Sequence, residues 1–185
     1  MTDLRASAPP ADGMDGGSGA RQADVTLRGM QPDDVPRVAA LERDLFRVSA
    51  WTPAMLAEEL NAWGRWYIVA QTAQGLVVGY AGLWFDGDVS QVMTIGVDQS
   101  FQGCGIGAVL IDALIGRSRQ LGAQSVFLEV AVNNDAAISL YHSRGFQQVS
   151  IRKRYYQPEN LDASVMRLAL DTPDTTAANS GTLKT

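Results

Sequence analysis

The sequence predicts a mixed α/β fold, in which a central mixed sheet carries helices on its faces as a three-layer arrangement. Three observations predict it: successive apolar runs joined by short Gly- and Asp-bearing turns, a glycine-rich loop that opens a helix, and an alternation of strand and helix patterns afterwards. Taken in order, residues 25–27 read as a short first strand. After Pro32, Asp33 and Asp34, the apolar Val35, Val38, Leu41 and Leu45 recur at helical spacing, with the acids at the positive end of the helix dipole. Thr52 followed by Pro53 reads as an N-cap and a first-position proline, opening a second helix with Met55, Leu56 and Leu60. Strands at 66–71, 76–85 and 89–97 are joined by Ala73-Gln74-Gly75 and Asp86-Gly87-Asp88, which makes them an antiparallel meander. The loop from Gly103 to Gly107 leads into a helix over 108–121, with Val109, Leu110, Ala113 and Leu114 on one face and Gly122 closing it. A buried strand at 125–130 precedes a helix capped by Asp135, running through Ala136, Ala137, Leu140 and Tyr141 and ended by Gly145. Two last strands, 146–155 and 164–170, flank the loop around Pro158-Glu159-Asn160.

The 185 residues are 46% hydrophobic and 19% charged, which suits one globular domain and excludes a chain disordered throughout. The formal net charge of −5 has the wrong sign for binding nucleic acid through bulk phosphate neutralisation. No apolar run approaches the ~18 residues of a membrane span. Residues 1–24 and 171–185 hold three of the five net negative charges and lack hydrophobic periodicity, so they read as disordered tails around a domain at 25–170. Ala6-Ser7-Ala8 imitates a leader cleavage site, yet no apolar segment precedes it, so no signal peptide is expected. A single cysteine supports no disulfide framework and suits a cytoplasmic location.

The chemistry concentrates around Gln102-Gly103-Cys104-Gly105-Ile106-Gly107-Ala108, between a strand and a helix. A helix N-terminus presents unpaired N–H groups, and glycines let an anion approach them. The segment fits the dinucleotide fingerprint through Gly103, Gly105 and Ala108, with Glu129 near the distance of a ribose-binding acid. However, five residues separate the loop from the strand ending near Val97, and too little chain follows for a second nucleotide-binding half. A tight connection packed with small residues is the plain alternative.

Gln102, Gly105 and Gly107 also form Q-x-x-G-x-G, which resembles motif A of the GNAT acyltransferase superfamily. Leu128-Glu129-Val130, Asn134, the run from Ala136 to Tyr141 and Gly145-Phe146 resemble its motif B. Ile151-Arg152-Lys153-Arg154-Tyr155-Tyr156 is similar to the basic, double-tyrosine strand of the RimI branch, which acetylates a ribosomal-protein alanine. The resemblance spans about residues 25–170. It implies a GNAT fold, acetyl-CoA as co-substrate and no metal. It implies that residues 102–108 hold the pyrophosphate, that Asn134 contacts the pantetheine or phosphate arm, and that Ile95, Gly96 and Val97 offer backbone groups where the sheet splays. Asn134 reads equally as a turn residue, and Gly96 as a packing glycine.

The implied acceptor is a protein N-terminus, on a small-subunit ribosomal protein in that branch, with direct transfer in a ternary complex. An α-amine has a reference pKa of ~7.7–8.0 against ~10.4 for lysine, so a modest base suffices. Glu129, ending a buried strand, has the chemistry to take the proton; its plain alternative is a salt bridge. Tyr141, a phenol of pKa ~10, has the chemistry to donate to a departing thiolate of parent pKa ~8.5; its alternative is a half-buried helix aromatic. A GNAT enzyme for a small-molecule amine or lysine, and a non-catalytic acyl-CoA-binding module, are the rival functions.

Two departures from the branch stand out. Ala108 replaces its frequent basic residue, leaving the phosphate site to backbone amides, and Phe46-Arg47 replaces its Phe-Pro, which bears on the acceptor. His142, the sole histidine, reads as inert, and Cys104 as a space-filling loop residue. Arg152 and Arg154 are expected to share one strand face with Lys153 opposite, as solvated charge or a contact with phosphate or peptide. Glu42, Asp44, Glu58 and Glu59 read as a solvated helix face or a surface for a basic peptide.

Overall fold

A computed structural model describes residues 24–170. The expected tails lie outside those residues, apart from Asp24. The elements follow the predicted order: β1 Val25–Gly29, α1 Val35–Phe46, α2 Pro53–Asn61, β2 Arg65–Thr72, β3 Val77–Phe85, β4 Ser90–Val97, α3 Ile106–Gln120, β5 Ser125–Ala131, α4 Asp135–Ser143, β6 Gln147–Tyr156 and β7 Leu161–Ala169. They form one seven-stranded mixed sheet in the order β1-β2-β3-β4-β5-β7-β6. Every neighbouring pair is antiparallel except β4 with β5.

Alternation divides the sheet's residues between two cores. Ile68, Ala81, Val92, Ile95, Leu128 and Val130 pack with α3 and α4, whereas Tyr67, Val69, Tyr80 and Met93 pack with α1 and α2. The register of β3 on β4 shifts between Gly82 and Leu83, opposite the extra residue Met93. Such a bulge bends the strand and increases its twist. Beyond it β4 leaves β5, for the two pair only at Ser90↔Val126 and Gln91↔Phe127.

Two local readings are corrected. The cap of α4 is Asn134, whose Oδ1 accepts the Ala137 N–H at 3.1 Å, and Asp135 is the first helical residue. Arg152 and Arg154 do not alternate regularly, because the β6–β7 register shifts between Arg152 and Tyr156 and Arg154 adopts a φ of +53°. Its N–H then bonds to Asp162 Oδ1 at 2.8 Å, so an acceptor off the ladder stabilises the bulge.

The acidic cluster divides as well. Glu42 stands on the apolar face of α1 and is 2% exposed. Its Oε1 accepts from the Tyr80 hydroxyl at 2.7 Å and from Thr94 Oγ1 at 2.9 Å, and its Oε2 accepts the Trp51 N–H at 3.1 Å. Glu59 is paired with Arg65 at 2.8 Å and accepts the Tyr67 hydroxyl at 2.8 Å. Asp44 and Glu58 remain exposed.

Tyr80, fixed by Glu42, lies flat against Gly96 of β4. A Cβ at Gly96 would stand 2.6 Å from the Tyr80 ring, which requires the ring to move. Gly96→Ala is therefore expected to destabilise the fold by about 1–3 kcal/mol, the usual cost of overpacking. Thermal melting checks this, and an unchanged midpoint would mean that the ring is not held.

Candidate active site

The divergence of β4 from β5 opens a cleft of about 370 Å³ beside α3 and α4. One wall is the end of β4, Ile95-Gly96-Val97; the floor is the loop and first turn of α3; the other wall is α4. Gly103 and Gly105 have φ of +73° and +82°, in the left-handed region that glycine adopts without cost. Nothing lies within 4 Å of a Cβ built on either, so conformation and not crowding requires glycine there. Gly105 is the N-cap residue of α3 and provides no side-chain cap, which leaves the first N–H groups of that helix without a side-chain partner from it.

The loop is tied to the strand before it. Gln102 Nε2 donates to Val97 O at 3.2 Å. Asp98 accepts the Ser100 N–H at 2.9 Å and pairs with Arg37 at 2.6 Å. Burial opposes the charge on Asp98, but the Ser100 N–H and Arg37 outweigh it and hold its pKa below the ordinary carboxylate value. These contacts tie the strand end and the loop together.

Of the expected cofactor-holding residues, Ile95, Gly96, Val97, Gln102, Gly103, Gly105, Ile106, Gly107, Ala108 and Asn134 line the cleft, and Cys104 does not. Asn134 is 2% exposed, so it lies on the wall while capping α4. Phe101, Ala136, Ala137 and Leu140 also line the cleft and were not anticipated as site residues. The last three had a readable signal, since they stand with Tyr141 on one face of α4 at helical spacing.

Tyr141 lines the cleft, 1% exposed, with its ring tilted against Phe146 at 5.9 Å. Burial pushes the phenol well above its ordinary pKa, so it remains a hydrogen-bond donor far into the alkaline range. Glu129 is placed differently. It does not line the cleft, and because Leu128 and Val130 pack toward α3 and α4, alternation turns Glu129 to the opposite face of β5. The cleft and the carboxylate therefore lie on two sides of the sheet, beside the gap left by the missing β4–β5 pairs. The carboxylate is 5% exposed, and its Oε1 takes Arg152 Nη1 in an ion pair. Its Oε2 is buried and has no hydrogen-bond partner among the described residues.

Among the described residues no three His, Cys, Asp or Glu stand together as a metal site, and no helix is long and apolar enough to cross a membrane.

The profile of the acetyltransferase (GNAT) family matches residues 35–146. The chain is 40% identical over 148 residues to the N-alpha-acetyltransferase RimI of Mycobacterium tuberculosis, covering 77% of this chain and 91% of that one. It is 29% identical over 147 residues to the ribosomal protein bS18-alanine N-acetyltransferase of Escherichia coli, covering 78% and 97%. Among solved structures, the ribosomal-protein-S18-alanine N-acetyltransferase from Escherichia coli superposes with a TM-score of 0.75 at 24% identity, covering 83% of this chain and 98% of that one. Arabidopsis thaliana NAA60 in complex with acetyl-CoA gives 0.72 at 18% identity, covering 80% and 99%, a likeness of fold. The family profile over residues 35–146 and the 40% identity over 148 residues show that the chain belongs to the GNAT family of acetyltransferases.

Proposed function

We propose that the protein transfers an acetyl group from acetyl-CoA to the α-amine of a protein N-terminus beginning in alanine, with a small-subunit ribosomal protein in the cytoplasm as acceptor. The observation that carries this reading is the gap between β4 and β5, with a glycine-rich loop and a buried tyrosine on one side and a buried carboxylate on the other. The names of the relatives support the choice of acceptor.

The residues fit acetyl-CoA. Gly103 and Gly105 leave an open cradle at the start of α3, where backbone N–H groups suit a pyrophosphate. The unpaired edge of β4 suits an amide-bearing arm, and a backbone N–H there suits a thioester carbonyl. Acetyl-CoA supplies the acetyl group as a thioester. Glu129 Oε2 accepts the proton lost by the attacking amine, directly or through a water, and the Tyr141 hydroxyl meets the departing thiolate. An α-amine suits this arrangement better than lysine, since its reference pKa is ~2.5 units lower and more of it is neutral.

Incubation with acetyl-CoA and a short alanine-initiated peptide is expected to release CoA thiol. Peptides differing only in a blocked N-terminus should release none, and release that persists would reassign the acceptor. Absence of a thermal shift with acetyl-CoA would remove the co-substrate itself.

The state of Tyr141 gives a pH prediction. An unperturbed tyrosine is half ionised at pH 10.0, whereas burial keeps Tyr141 protonated there. Turnover at saturating substrates is therefore expected to stay level from about pH 8 to 10, and a decline centred near 10 that disappears in Tyr141→Phe would contradict it.

A further inference from the structure

Arg152 has no part in the transfer as described so far, yet it is the only cation paired with Glu129 among the described residues. It sits on β6, one of the two edge strands of the sheet, with its side chain 50% exposed. Register places Arg152 opposite Ala163 of β7, and Ala163 opposite Ala131 of β5. Glu129 lies two residues from Ala131 on the same face, so the guanidinium crosses β7 over a methyl group to reach it. Its other flank is also fixed: the Arg152 carbon Cζ stands 4.3 Å from the centre of the Tyr155 ring, which meets Tyr156 edge-on at 5.1 Å. The bulge at Arg154 shapes this part of the hairpin.

The two carboxylate oxygens of Glu129 are thus unequal. Oε1 is held by Arg152, and Oε2 is buried with no hydrogen-bond partner among the described residues. The ion pair at Oε1 restricts the rotation of the carboxylate, which favours one direction for the other oxygen.

We propose that Arg152 is the positioning residue for the transfer, holding Glu129 through Oε1 and leaving Oε2 as the oxygen that receives the amine proton. The inference rests on Glu129 being the base. It makes the β6–β7 hairpin part of the catalytic apparatus through Arg152 and Tyr155, and it separates the task of holding the co-substrate, on the other sheet face, from that of setting the base.

The test is a kinetic cycle of Arg152→Gln, Arg152→Lys, Glu129→Gln and the Arg152→Gln/Glu129→Gln double variant, with Lys153→Gln as a control for bulk charge. Alanine-initiated peptide and acetyl-CoA are the substrates, and acetyl-CoA affinity is measured separately. Arg152→Gln is expected to lower kcat about tenfold or more with acetyl-CoA affinity within about twofold, and Arg152→Lys to recover part of the loss. The double variant should be no slower than Glu129→Gln, because Arg152 acts only through that carboxylate. Lys153→Gln should match the wild type.

Full activity in Arg152→Gln, losses that multiply in the double variant, or a loss confined to acetyl-CoA affinity would each overturn the role. Full activity in Glu129→Gln would overturn the base itself and this inference with it. Loss in Glu129→Gln alone would overturn only the inference.

Discussion

Glu129→Gln is expected to lower kcat with an alanine-initiated peptide by about 10²–10⁴-fold, the range over which a positioned general base contributes. The substitution keeps the shape of the side chain and one oxygen for Arg152, and removes the ability to take a proton. Acetyl-CoA binding should be unchanged, because Glu129 lies on the far side of the sheet from the cleft. The loss should also shrink as pH rises, since a larger share of the α-amine is then already neutral. Steady-state kinetics from about pH 7 to 10 check both statements, given the reference amine pKa of ~7.7–8.0. A loss independent of pH would point to a structural role for the carboxylate.

The second large effect concerns stability. Glu42→Ala removes the acceptor for three donors, the Tyr80 and Thr94 hydroxyls and the Trp51 N–H, within a core that Glu42 enters at 2% exposure. Each buried donor without an acceptor costs about 1–3 kcal/mol, so a loss on the order of 3–5 kcal/mol is expected, a large share of the ~5–15 kcal/mol that holds a domain together. Burial and the Glu42 charge both push the Tyr80 phenol upward, so Tyr80 is a permanent donor in this network. Urea denaturation measures the cost. Glu42→Gln, which keeps one acceptor oxygen and presents an amide to the remaining donors, should fall between wild type and alanine. A change below about 1 kcal/mol for alanine would mean that water replaces the carboxylate.

The order of elements was legible because each rests on a local pattern: the Thr52 cap is seen at 3.3 Å from the Met55 N–H, and Gly122 closes α3 with φ of +79°. The loop glycines were legible for the same reason. What escaped depends on partners distant in sequence. The burial of Glu42 was half visible, since it follows Val38 by four residues and precedes Leu45 by three on the apolar face of α1. Its acceptor role was not, because Tyr80 and Thr94 lie 38 and 52 residues away. Asn134 and Asp135 are both good caps, and only the chain's entry into α4 decides between them. The opposite-face placement of Glu129 follows from alternation on β5, but the gap that makes this useful depends on how few residues of β4 and β5 pair. Sequence could name Arg152 as a cation; its pairing with Glu129 needed the β5–β7–β6 order, which no local pattern encodes.

The proposed acceptor is an α-amine. Mass spectrometry that locates the acetyl group on a peptide carrying both an N-terminal alanine and an internal lysine, after incubation with acetyl-CoA and the enzyme, tests it most directly. Acetyl is expected on the alanine nitrogen and none on lysine, with the product absent when Glu129→Gln replaces the enzyme over the same interval. Acetylation of the lysine with the N-terminus left free would contradict it.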